Sequence, residues 1–152
     1  MTLLTLRDAQ RILDGALRHA RNHDMEPMTV IVLDAAGVVK ASAREDGSGL
    51  ARPDIAFAKA WGALGMGLPS RELGRRAELM PAFFQALVPV TQGRVVPVPG
   101  GVLVLKNGQL VGAVGVSGDT SDHDELCAVA GVTLTGLLAD SEATPKVRHS
   151  EL

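Results

Sequence analysis

The chain has 152 residues, enough for one domain that buries a real core without disulfide or metal staples. Hydrophobic residues make up 46% and charged residues 21%, and the net charge of −2 leaves no electrostatic footprint for nucleic acid or an anionic membrane. The single cysteine, Cys127, excludes an intrachain disulfide, and no apolar stretch approaches the ~18 residues of a spanning helix.

These features, with an N-terminus lacking a basic segment ahead of a long apolar run, lead to the expectation of a cytoplasmic protein without membrane partners. Aromatics are scarce (Phe57, Trp61, Phe83 and Phe84), whereas glycine reaches 17 residues. A core of small side chains buries little area per residue, a shortage that a homo-oligomer relieves by burying more.

Apolar residues at Leu6, Ala9, Ile12, Leu13, Ala16, Leu17 and Ala20 define one face of a helix over 6–23, and Thr5 with Asp8 approximates a capping box. Residues 29–33 read as a short buried strand, Asp34 to Gly37 as a turn, and 38–43 as the returning strand. A polar loop over 44–49 follows. Pro53 suits the first turn of a helix that runs from Ile55 to Met66 and stops at Gly65, Gly67 and Pro69. Ser70 is placed to cap a helix to about Glu78, and Pro81 opens an apolar piece over 82–88.

Residues 97–118 then read as two strands around Asn107-Gly108, a pair suited to the positive φ angles of a type I′ hairpin turn. Gly100, Gly101, Gly115 and Gly118 at the strand ends allow close backbone approach, as in the wall of a small-ligand site. Thr120 to Asp122 cap a last helix over about 124–138. The expected fold is α+β, an antiparallel sheet built from two hairpins and flanked by helices, in a single domain over 1–140. The polar segment 141–152 has no periodicity and reads as a mobile tail.

The glycines of 112–118 are spaced G-x-x-G-x-x-G, which is not the dinucleotide fingerprint, and no P-loop is present. Gly115-Val116-Ser117-Gly118-Asp119 misses the last glycine of a nucleophile elbow, so Ser117 reads as a loop serine. Asp119, Asp122, His123 and Asp124 open the last helix, where acidic groups serve as caps and one of them could face a ligand. His19 and His23 stand at i, i+4, either as surface residues of a helix end or as ligands to a haem iron or metal. Arg44 and Asp46 follow a strand end, where sites commonly lie. Lys59 sits among Ala56, Ala58 and Ala60. It either snorkels to water or is buried beside Asp46 or a substrate carboxylate, where it becomes a candidate for acid–base or anion-binding work.

The stretches VLDAAGVVKASAREDGS, IAFAKAWGA and VPGGVLVLKNGQLVGAVGVSGDTSDHDELCAVAG resemble the GlcG/HbpS haem-binding family, also called the haem-degrading domain family. That family includes the C-terminal domain of the PduO adenosyltransferases, and the likeness runs from about Thr5 to Leu138. The resemblance implies an antiparallel sheet flanked by helices in profilin- or PAS-like layering. It also implies a homo-oligomer and haem or another small molecule as ligand. By motif matching, Arg44, Asp46, Lys59, Gly100, Gly101, Ser117, Gly118 and Asp124 occupy family positions. The chain departs from the family pattern at Ser42-Ala43, where an aromatic often precedes Arg44, at Asp119 and at His123.

Two functional readings result. In the first, Arg44, Asp46, Lys59, Gly100, Gly101, Ser117 and Gly118 line a ligand site, with haem the candidate cofactor and His23 or His19 its iron ligand. The protein is then a carrier, sensor or accessory protein. In the second, a cofactor-independent lyase, isomerase or hydrolase acts on a small organic acid, with Arg44 as anion clamp and Lys59, Asp46, His123 or Asp124 moving protons.

Overall fold

A computed structural model of the chain describes residues 2–142. The capping box forms: the Thr5 hydroxyl accepts from the Asp8 amide at 3.0 Å, the Asp8 carboxylate accepts from the Thr5 amide at 3.4 Å, and α1 (Leu6–Asn22) begins there. Two hairpin strands follow, β1 (Thr29–Asp34) and β2 (Val39–Arg44). Three helices come next, α2 (Arg52–Met66), α3 (Ser70–Leu79) and α4 (Pro81–Val90). The second hairpin is β3 (Gly101–Lys106) and β4 (Gln109–Ser117), and Asn107 and Gly108 at its turn take φ of 52° and 76°, the left-handed pair of a type I′ turn. Then come α5 (Ser121–Leu134) and β5 (Leu138–Asp140).

The two hairpins join through β1 and β4 into one antiparallel sheet of order β2-β1-β4-β3-β5. Alternation along β1 explains its unbroken apolar run. Val30 and Val32 pack on one side with Ala9, Ile12 and Ala16 of α1 and Ala128 and Val132 of α5. Ile31 and Leu33 pack on the other side with Ala56, Ala60 and Ala63 of α2. A sheet covered on both faces needs apolar residues on both faces. Helices α3 and α4 form a separate small cluster, in which Leu68, Leu73 and Phe84 are buried.

Two expectations change. The last helix stops at Leu134 instead of Leu138, because Gly136 takes φ of 81° and the chain leaves as β5, which pairs with β3. Ser70 does not cap α3, since its hydroxyl accepts from the Gly101 amide at 2.7 Å and ties α3 to the start of β3. Most of the expected tail, 143–152, lies outside the described residues.

Candidate functional site

Lys59 projects from α2 into the interior and is 2% exposed. Its ammonium donates to the Val116 carbonyl and to Asp124 Oδ2, each at 3.0 Å. Asp124, at the first turn of α5, is 1% exposed, and the backbone amides of Asp119 and Gly118 donate to its carboxylate. Burial pulls the Lys59 ammonium below its ordinary value and pushes the Asp124 carboxyl above its own, while their mutual attraction opposes both shifts. Two of the four groups named for proton transfer are therefore each other's partners in a packed interior.

The glycines around this pair face protein backbone. A Cβ at Gly101 would meet the Lys59 carbonyl, and one at Gly115 would meet the Ala56 carbonyl, so the hairpin glycines let α2 lie directly on the sheet. Gly100 lies against the Lys59 side chain and Gly118 against Pro27 and Met28. Ser117 is fully buried, and its hydroxyl accepts from Arg52 Nη1 at 3.1 Å. The structure thus gathers Lys59, Asp124, Gly100, Gly101, Ser117 and Gly118, with α2 occupying the space next to the glycines.

Arg44 and Asp46 lie elsewhere. With Arg21, Pro27 and Glu45 they line a surface cleft of about 420 Å³, and Lys59 is not among its walls. Arg44 Nη1 donates to the Ser48 carbonyl at 3.1 Å. Arg21 pairs with Glu45 at 3.1 Å and donates to the carbonyls of Met25 and Glu26. Its two arginines and two carboxylates balance in charge.

The three described histidines lie at one end of the α1–α5 helix pair. Helices α1 and α5 run antiparallel, as Gly15 lies against Gly131 while Cys127 reaches Met25 and Asp119 accepts from the Glu26 amide at 2.8 Å. His19 and His23 stack with ring centroids 4.1 Å apart, and His23 Nδ1 lies 2.8 Å from the His19 carbonyl oxygen. A carbonyl only accepts, so Nδ1 is the donor in this bond and Nε2 takes no part in it. Burial, then the neighbouring His23, holds the His19 imidazole below its ordinary value.

His123 sits at the α5 end nearest to the chain segment following His23, next in sequence to Asp124. Its Nδ1 is 2.8 Å from Asp119 Oδ1. The Asp119 carboxyl is held down at about 2, first by the Glu26 amide and then by the Thr120 amide and His123. Among the described residues no group of three or more His, Cys, Asp or Glu side chains is arranged to hold a metal ion.

A further cleft, between the end of α2 and the α3–α4 hairpin, is lined by Met66, Leu68, Leu73, Arg76, Met80, Phe83 and Phe84. The sequence reading did not single it out. Its signal was the apolar run of α4, in which only Phe84 is buried.

The family model described as haem degrading protein HbpS-like matches residues 4–133. The corrinoid adenosyltransferase PduO of Salmonella typhimurium is 28% identical over 121 residues, a match covering 80% of this chain and 35% of that protein. The chain spans about a third of the length of the curated relatives it matches. Among solved structures, a complex of PduOC with haem superposes with a TM-score of 0.81 at 26% identity, covering 90% of this chain and 97% of that one. A double mutant of HbpS from Streptomyces reticuli gives a TM-score of 0.75 at 30% identity, covering 88% of each chain.

Proposed function

This chain belongs to the HbpS-like family of haem-degrading proteins, and from that premise we propose that it binds haem as a carrier. The observation that carries the reading is the His23 imidazole. Its Nδ1 is committed to the His19 carbonyl and its Nε2 is uncommitted at an exposed helix end, the arrangement in which histidines ligate iron. His19 stacks on that ring and restrains it. These residues fit a porphyrin iron, which needs one or two imidazoles, better than a bare metal ion, which needs a fuller cage.

Bound haem would supply the iron's ligand-exchange and redox chemistry. The chain's own part is to present an oriented imidazole at the surface. An exposed ligand suits transfer of cargo to another protein, which favours a carrier over an enzyme that retains its group. Self-association and a cytoplasmic setting belong to the same proposal. No helix among the described residues is long and apolar enough to cross a membrane.

The acid–base reading has less support, because Lys59 and Asp124 neutralise each other in the core and Arg44 and Asp46 open onto a different surface. Haemin titration followed at the Soret band tests the proposal. His23→Ala should weaken binding by about ten-fold or more, the effect of losing one iron ligand. His19→Ala should have a smaller effect. Saturable binding that neither substitution alters, or no saturable change in the wild type, would overturn it.

A further inference from the structure

We propose that the cleft between α2 and the α3–α4 hairpin binds a small monocarboxylate with an apolar body, such as an acyl chain or a single aromatic ring. This site is separate from the histidine end of α1 and stands whether or not haem binds there.

The cleft encloses about 270 Å³. That is near the lower end of small-molecule sites, ~300–1,000 Å³, and suits a compact body. Leu68, Leu73 and Phe84 form a buried floor, whereas Met80 and Phe83 are 46% and 48% exposed. Apolar side chains left half in water above a concave apolar floor are what a ligand would cover. The thioethers of Met66 and Met80 are flexible enough to close on bodies of differing shape.

Arg76 is the one charged side chain among the lining residues. Its Nε donates to Glu72 Oε1 at 3.1 Å, which fixes the plane of the guanidinium. Among the described residues its two Nη nitrogens have no protein acceptor. Glu72 also accepts from Arg75 Nη2 at 2.6 Å and Nε at 3.0 Å, so two arginines share one carboxylate. One positive charge is left unmatched beside an apolar cleft. An anchored guanidinium with a free Nη edge is the donor set that recognises a carboxylate.

The test uses the full chain with ¹³C-methyl methionine, titrated with octanoate, benzoate and, as the uncharged control, octanol. Octanoate and benzoate should shift the Met66 and Met80 ε-methyl resonances saturably. Those of Met25 and Met28, buried in the α1–α5 core, should stay in place. Arg76→Gln should weaken octanoate by about ten-fold, as expected for one charge-assisted bond, and leave octanol unchanged. Phe83→Ala, at a half-exposed position, should weaken both ligands. Equal affinity for octanol and octanoate, or carboxylate binding indifferent to Arg76→Gln, would overturn the proposal. So would the absence of saturable shifts at millimolar ligand. Met80 shifts that follow protein concentration without ligand would also overturn it, since a second copy would then fill the cleft.

Discussion

Lys59 is held in the interior by two groups that each have other structural duties. Val116 ends the inner part of β4, Asp124 opens α5, and Lys59 itself stands in the middle of α2, so one ammonium links both helix layers through the sheet. A buried ion pair of this kind offsets its own desolvation and little more, but removing one partner strands the other. Lys59→Met alone and Asp124→Leu alone should each cost about 3–5 kcal/mol, while the double substitution should cost clearly less than their sum. Urea denaturation of the four proteins at neutral pH measures this. Additive losses would show that the pair is not coupled and would return both groups to consideration as independent functional residues. The same logic separates them from His23, whose Nε2 has no comparable internal duty.

At the scale of elements, the contact that sets the architecture is α2 lying on glycines of β3 and β4. Each approach has a helix carbonyl where a Cβ would sit, Ala56 over Gly115 and Lys59 over Gly101. Gly115→Ala should therefore force α2 off the sheet and cost at least the ~1–3 kcal/mol of an overpacked core. Gly108→Ala, at a turn position with open space around it, isolates the separate cost of a positive φ. A thermal melt in which Gly115→Ala matched wild type would refute this account of the glycines.

The sequence announced these glycines as points of close approach, and the two hairpins and α1 were legible from β-branched alternation, the Asn107-Gly108 pair and the Thr5–Asp8 box. What approaches the glycines was not legible, because the partner is backbone and carries no residue signature. Strand β5 was hidden for a related reason. Its three residues, Leu138 to Asp140, extend an apolar helix pattern, and only the left-handed Gly136 breaks it. Of the site residues, the sequence put Lys59 near a carboxylate but named Asp46, which lies on another surface, ahead of Asp124. Pairings between residues 65 positions apart follow from the topology and not from local spacing.

For the molecule as a whole, the sheet is clasped by α1 and α5 on one face and α2 on the other, and the loop leaving α1 is fastened to the start of α5 by Asp119. That carboxylate accepts from the amides of Glu26 and Thr120 and faces His123 Nδ1, so it closes the histidine end of the helix pair. Its folded value, about 2, lies below the ordinary 3.8. Between those values the unfolded chain binds more protons than the native state, so the stabilisation is full above about pH 4 and is lost as pH falls towards 2. Asp124 and Glu125 are shifted upwards by burial and act in the opposite sense. They are present in any Asp119 variant and cancel in a difference. Asp119→Asn keeps an acceptor for the Glu26 amide and removes the charge. The gap in urea midpoint between wild type and Asp119→Asn should be greatest at pH 5 and close steadily towards pH 2. A gap of constant size would show that Asp119 acts through shape alone. The clasp at the histidine end would then not depend on its ionisation.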